Sequence, residues 1–460
     1  MALDNKRIVI IGAGPCGLGA AWRLHELGFE NYAVFEKNDY VGGLSASFSD
    51  EKGFTWDIGG HIQFSHYDYF DRVMKTVLPE DGWVSHERES WIWMRARFIP
   101  YPLQYNIGKL PQKEMLECLA GLLNSKNETQ PNANFLDWIL HTFGEGIAKH
   151  FLIPYNKKVW AYPPEELSAQ WTGERVAVPD VKRVMENIIN EREDCSWGPN
   201  NAFKFPLYGG TGAIWDAIAN RLPKEKIHLC SELAVVDSGR KLLKFKNGHQ
   251  ENYDYLISTI PINQLLHITN GGLLKKDDRF VYSSSNIIGV GLKGEPPEKL
   301  RTKCWMYFPE DDNPFYRVTV FSNYSPNNVP QGQYWSLMGE VSESSKKPVN
   351  YNQLIDEALQ GFYNTQLIEK NAPIVSIWTH RAEYAYPTPF LGRDKLIDRY
   401  LTDLQKRNIY SRGRFGTWKY ECSNMDHVLM QGVEAVEHIL FGAPELTFKY
   451  PSFINSHRVR

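Results

Sequence analysis

Residues 7–17 read RIVIIGAGPCG, and the thirty residues that begin there decide the fold. Arg7 to Ile11 is a short apolar run of the kind that forms a strand buried on both faces of a parallel sheet. Gly12, Gly14 and Gly17 then make a G-x-G-x-x-G turn. The first glycine permits the tight turn, the second lets a pyrophosphate approach the backbone, and the third lets the following helix pack on the strand. Leu18 to Leu27 carries apolar residues at helical spacing and stops at Gly28, and Tyr32 to Glu36 (YAVFE) is the next strand. Free N–H groups and the dipole at the helix N-terminus favour an anion, and Pro15 suits the first helical turn, where its missing N–H costs nothing. Glu36 stands 22 residues beyond Gly14, placed for a ribose hydroxyl. The unit predicts a dinucleotide site at the head of an α/β, Rossmann-like domain.

Two further segments favour FAD over NAD. VGGLS at 41–45 is a second glycine turn that brings Gly43 and Ser45 to the same pyrophosphate, and it resembles the extension found in FAD-binding proteins of the glutathione-reductase and amine-oxidase type. A glycine turn from Gly413 leads into a helix near Val428 to Leu440, resembling the second flavin-contacting element of such folds. Asn424 and Asp426 stand at its start as candidate cofactor contacts.

Outside this frame the periodicity changes. Trp83 to Pro100 alternates aromatic and β-branched residues with charged ones, which suggests strands. Helical windows appear at 114–123, 135–143 and 181–191. Leu233 to Phe245, with Asn247-Gly248 as its turn, reads as a hairpin, and Tyr255 to Ser258 as a strand returning to the first sheet. Short apolar-polar alternations from about 279 to 379 predict an antiparallel sheet. The expected organisation is a discontinuous FAD-binding domain (1–80, 200–265 and 385–460), an inserted helical domain that binds substrate or mediates oligomerisation (105–195), and an antiparallel-sheet substrate domain (81–104 and 266–384).

Composition narrows the function. With 460 residues, 42% hydrophobic and 23% charged, the chain is globular rather than disordered. A net charge of −3 gives no broad basic field for nucleic acid or anionic lipid, so a phosphate ligand must be held by local arginines. The six cysteines form no C-x-x-C pair, which argues against a zinc site and a disulfide framework, and no metal is expected. No signal-peptide pattern and no run of about 18 apolar residues is present, so no membrane insertion and a cytoplasmic location are expected. Nothing in the sequence sets the oligomeric state, which leaves a homo-oligomer open.

The segment GFTWDIGGHIQFSHY (53–67) resembles the eukaryotic-type UDP-galactopyranose mutases, and the similarity continues in order along the chain. It includes PYPLQ (100–104), PYNKKVW (154–160), GERVA (173–177), WGPN (197–200), GGTG (209–212), CWMYFP (304–309), PFYR (314–317), VSESS (341–345), YPTP (386–389), RGRFG (412–416) and Asp426-His427. The resemblance implies an FAD domain with a helical and an antiparallel-sheet domain. It also implies interconversion of UDP-galactopyranose and UDP-galactofuranose for glycan biosynthesis, through an adduct between N5 of reduced FAD and the sugar's anomeric carbon, with UDP as leaving group.

By the same resemblance Arg175 and Arg317 hold the pyrophosphate, where planar guanidinium groups stabilise charge developing on the leaving group. His61, after Gly59-Gly60, lies near the flavin and responds to its reduction, with Gly60 part of the cofactor loop. Tyr307, Tyr386 and Tyr420 are implied diphosphate donors, joined by Arg414. Phe64, Tyr101, Gln104, Asn156 and Trp160 are implied at the uracil and UDP end, and Trp305 and Asn200 at the sugar. Leu103 stands where better-known members have Phe. The priming reductant implied is NADPH, with His66, Arg88 and Ser90 as its contacts. Two other functions fit the same flavin domain: an FAD-dependent oxidoreductase of the amine-oxidase or desaturase type, and a mutase for another UDP-sugar.

Overall fold

The computed structural model describes residues 5–125, 133–195, 198, 201–270 and 272–457. Ile8–Ile11 is the central strand (β1) of a five-stranded parallel sheet. Tyr32–Phe35 (β2) and then Ile227–His228 lie to one side, Tyr255–Ser258 and then Ile409–Ser411 to the other. Every residue of β1 and β2 is buried, because the pleat divides them between two cores. Ile8, Ile10 and Val34 pack with helices Pro15–Glu26 (α1) and Met425–Phe441 (α2). Val9, Ile11, Ala33 and Phe35 pack beneath a three-stranded antiparallel sheet of Leu233–Asp237, Leu242–Phe245 and Gln250–Asn252. The chain order reverses about β1, so the crevice at the carboxyl ends of β1, β2 and Tyr255–Ser258 is a topological switch point, where such sheets bind ligands.

A second sheet of seven strands runs in the order Ile374–Pro387, Tyr282–Lys293, Tyr334–Glu343, Arg317–Val320, Trp305–Tyr307, Ser90–Met94 and Arg97–Pro100. Its junctions are antiparallel except one: Trp305–Tyr307 pairs in parallel with Ser90–Met94. The sheet expected as antiparallel is thus mixed at that junction, since alternation along a strand carries no information on its partner's direction. Trp83–Glu87, grouped in sequence with this sheet, instead pairs with Ala202–Pro206 in a separate ribbon. The expected sheet region also contains a helix, Leu354–Asn364, whose Leu354, Ala358 and Phe362 close one face of the sheet over Ile288, Val318 and Leu337. Its helical spacing was present in the sequence amid the shorter alternations.

The windows expected as helices form Gln112–Asn124, Phe135–Ile147 and Val181–Ile189. A π-helical turn, Ala148–Leu152, leads into helix Ile153–Trp160 (α3). Among the described residues no helix is long and apolar enough to cross a membrane.

Candidate active site

The glycine turn after β1 is a cradle of backbone. A Cβ on Gly17 would overlap the Gly12 carbonyl, so only glycine lets α1 sit this close to the turn. Gly43, at positive φ, packs against the Gly14 Cα, and Gly42 N–H donates to the Ala13 carbonyl at 2.8 Å, which locks the two glycine turns together. The Glu36 carboxylate accepts from the N–H of Ala13 (2.8 Å) and Asn38 (2.9 Å), fixing it at the end of β2. Gly12, Gly14, Glu36, Gly43 and Ser45 line the head of a cavity of about 1,320 Å³. That exceeds the roughly 300–1,000 Å³ of a pocket for one drug-sized ligand and leaves room for a dinucleotide and a second molecule.

The seven-stranded sheet forms one wall. Strand register aligns Tyr307, Arg317, Glu340, Ile287 and His380 in one row across five strands, and all five line the cavity. Cross-strand neighbours on one face touch. Arg317 donates through Nε (2.7 Å) and Nη2 (2.9 Å) to both oxygens of Glu340, leaving Nη1 without a protein partner among the described residues. Glu340 also accepts from Gly60 N–H (3.1 Å) and the Tyr316 hydroxyl (2.7 Å), and that hydroxyl is in hydrogen-bond contact with Tyr386. Burial disfavours the charge of Glu340, but Arg317 and the hydrogen bonds from Tyr316 and Gly60 together outweigh it and hold the carboxyl below the ordinary glutamate range. Glu340 thus ties an arginine of the wall to the loop that carries His61.

His61 follows Gly59 at φ 94°. Its Nδ1 is buried with no hydrogen-bond partner among the described residues. Burial, followed by the charge of Arg317, lowers its pKa to about 4, so the imidazole is neutral at pH 7. Thr319 Oγ1, beside Gly60, is also buried and unpartnered among the described residues.

Two more arginines converge on the cavity, Arg175 from the turn Gly173–Arg175 and Arg414 from the glycine turn ahead of α2. Arg175 donates to Asn424 Oδ1 (3.1 Å) and the Glu421 carbonyl (2.9 Å), lies 4.9 Å from the Tyr420 ring centre, and keeps Nε buried and unpartnered among the described residues. Arg414 donates to the Ala385 carbonyl and to Ser423. Around them Tyr101, Tyr155, Tyr307, Tyr386 and Tyr420 face the cavity. Burial pushes the phenols of Tyr155, Tyr307 and Tyr386 up, so they remain neutral hydrogen-bond donors. From α3 come Asn156 and Trp160, already bonded to each other at 3.2 Å. Gln104 donates to the Ala177 carbonyl and leaves its Oε1 buried and unpartnered among the described residues.

Of the residues singled out from sequence, the cavity gathers all but three. Phe64, Tyr101, Gln104, Asn156, Trp160, Trp305, Tyr307, Tyr386, Arg414 and Tyr420 line it, as do His61, His66, Arg88, Arg175, Arg317, Gly60, Asn424 and Asp426. Gly17 lies behind the cradle. Ser90, expected beside Arg88 as an NADPH contact, is instead buried in the sheet opposite Trp305 and is absent from the cavity wall. Its register partner Trp305 lines the cavity, but Ser90 itself is covered and forms no part of the wall. Asn200 lies outside the described residues. The Asp426 carboxylate, expected at the cofactor, is engaged by His66 through backbone N–H and Nδ1 and by His427 Nδ1. These three groups lie within 4.8 Å of one another, and both carboxylate oxygens of Asp426 and both ring nitrogens of His427 are already hydrogen-bonded, the last to Asn455. Glu340, Tyr155, Tyr316 and Thr319 were not singled out. For Glu340 the signal was an acid in the apolar middle of the strand YWSLMGEVSE, whose other acid, Glu343, stands at its end.

The chain belongs to the flavin-containing amine oxidoreductase family, whose pattern matches residues 15–440. Within that family it stands with the UDP-galactopyranose mutases: a solved reduced UDP-galactopyranose mutase is 50% identical, covers 99% of this chain and 98% of its own, and superposes with a TM-score of 0.96. A putative protoporphyrinogen oxidase from Exiguobacterium shares the fold at 16% identity over 95% of this chain and 99% of its own, with a TM-score of 0.72. Among curated relatives, the 15-cis-phytoene desaturase of Synechococcus elongatus is 37% identical over 186 residues, which is 35% of this chain; the chain spans only 39% of that relative's length. The residues present fit FAD: the double glycine cradle, the Glu36 carboxylate at the end of β2, and the N-termini of α1 and α2 at one cavity.

Proposed function

We propose that the chain interconverts UDP-galactopyranose and UDP-galactofuranose, with reduced FAD bound in the cradle and NADPH as the priming reductant. The observation that carries this is the convergence of Arg175, Arg317 and Arg414 with several neutral tyrosines in the cavity that the glycine cradle heads. When bound, the reduced flavin supplies an electron-rich nitrogen beside the sugar's anomeric carbon. The protein's part is positioning and charge. Arg317 and Arg175 present unspent N–H groups to the diphosphate and stabilise the charge it gains as the glycosidic bond breaks. Tyr307, Tyr386 and Tyr420 donate to the same oxygens, while Tyr101, Gln104, Asn156 and Trp160 seat the nucleoside. Neutral His61 holds a nitrogen toward the cofactor without adding charge. Arg88, 5.8 Å from the Tyr101 ring centre, supplies a cation for the extra phosphate of NADPH. A cytoplasmic location belongs to the same proposal and accords with six unpaired cysteines.

The test is anaerobic. Protein reduced with one equivalent of NADPH per flavin converts many equivalents of UDP-galactofuranose, followed by chromatography of the sugar nucleotides. Oxidation of one NADPH per sugar converted would refute the mutase and favour an oxidoreductase.

A further inference from the structure

Helix α3 carries a buried cation on the side that does not face substrate. Tyr155, Asn156, Val159 and Trp160 line the cavity, whereas Lys158 does not. Its side chain is 6% exposed. Its Nζ donates to the carbonyls of Glu310 (2.7 Å) and Asn313 (2.9 Å) and to Asn313 Oδ1 (3.0 Å). Three oxygen acceptors match the three donors of an ammonium group; a neutral amine would leave one of them facing a lone pair. Residues 310 to 313 belong to the short link between strands Trp305–Tyr307 and Arg317–Val320, the strands that hold Tyr307 and Arg317.

A second tether reinforces the first. α3 ends in a left-handed turn at Ala161, φ 57°, and its last carbonyls need partners. Ser342 donates to the Lys158 carbonyl and Ser344 to that of Ala161. Ser342 lies in strand Tyr334–Glu343, two residues from Glu340. Lys347 Nζ in turn donates to the Ser342 carbonyl at 2.7 Å. One wall of the cavity is therefore bolted from behind to the two strands whose Arg317 and Glu340 form the clamp.

We infer that Lys158 is a positioning residue that fixes the span between the nucleoside wall, Asn156 and Trp160, and the diphosphate clamp, Tyr307 and Arg317. The inference rests on the proposed UDP-sugar function. Burial, then repulsion from Lys347, lowers the Lys158 pKa to about 7 against the pull of Asp311, Asp312 and Glu310, so the ammonium that the three acceptors fit costs more to hold here than on a surface lysine and is partly lost at neutral pH.

The experiment compares Lys158→Met, Lys158→Arg and Ser342→Ala in the flavin-loaded full chain. The readouts are KM and kcat with UDP-galactofuranose, and UDP binding from quenching of protein fluorescence. A change in the span misplaces two ends of one ligand. Lys158→Met is expected to raise KM and the UDP Kd by about 10–100-fold while kcat stays within about threefold. Ser342→Ala, which removes one neutral bond, should raise both by about fivefold, and Lys158→Arg should recover part of the loss. The inference is overturned if flavin-loaded Lys158→Met binds UDP and shows a KM within about twofold of wild type. It is equally overturned if Lys158→Met loses flavin and kcat together while Ser342→Ala leaves KM and Kd unchanged, the pattern of a merely structural lysine. Failure of the functional proposal looks different: wild-type protein that binds UDP but isomerises no sugar. UDP binding by the variants then still decides the role of Lys158.

Discussion

Replacing Glu340 with Gln changes almost no volume and isolates the electrostatics of the clamp. Glu340 is 2% exposed and accepts four hydrogen bonds, two from Arg317, one from Gly60 and one from Tyr316. An amide cannot accept at its nitrogen. Placed at the Oε1 position, the new NH2 would face the N–H groups of Arg317 and Gly60, neither of which can turn away. Placed at Oε2, it faces Arg317 Nη2 and the Tyr316 hydroxyl, which can rotate to accept. The second arrangement loses one charge-assisted bond to Arg317, worth about 1.5–3 kcal/mol, and the carboxylate charge itself. Expressed in the transition state, where the guanidinium must meet the leaving diphosphate, this lowers kcat/KM by about 10–150-fold. The assay is anaerobic turnover of UDP-galactofuranose by the dithionite-reduced variant, with flavin content measured in parallel. A flavin-loaded Glu340→Gln enzyme within about threefold of wild type would show that Arg317 does not depend on this carboxylate for its pose.

Two further outcomes follow from particular contacts. Gly17→Ala places a Cβ on the Gly12 carbonyl, so the variant is expected to purify with less than about a tenth of the wild-type visible flavin absorbance; full flavin content would remove the close-packing role of this glycine. The folded-state pKa of His61, about 4, lies below its unfolded value near 6.5, so its contribution to stability is complete above pH 6.5 and is lost as pH falls from there toward 4. The wild-type Tm should therefore drop more between pH 7 and pH 5 than that of His61→Gln, measured on flavin-loaded protein; equal drops would mean that the imidazole is not held neutral by its surroundings.

The flavin cradle was legible because its chemistry is local. A strand, a glycine turn and a helix within thirty residues leave one arrangement for Gly12, Gly14, Gly17 and Glu36. The arginines and tyrosines of the cleft came from resemblance, since Arg317 alone is one cation among 51 lysines and arginines. What stayed hidden was set by register. Glu340 meets Arg317 only because their strands align those two residues, and Ser90 is covered beside its register partner Trp305 while Arg88, just ahead of the strand, reaches the cavity. The same limit explains the parallel junction of Trp305–Tyr307 with Ser90–Met94: strand direction depends on a crossing some two hundred residues long.

The pairing of Ile8 with Tyr255 has a consequence for how the protein is made. The central strand leaves the ribosome about 250 residues ahead of a neighbour it needs, an interval of roughly 12–50 s at ordinary elongation rates. Through that time an apolar ribbon has one lateral edge without its partner, open to aggregation and attractive to chaperones. Ile409–Ser411 joins later still. Cofactor loading therefore belongs to the end of synthesis, and nascent chains cut short before residue 255 are candidates for proteolysis rather than for rescue by added riboflavin.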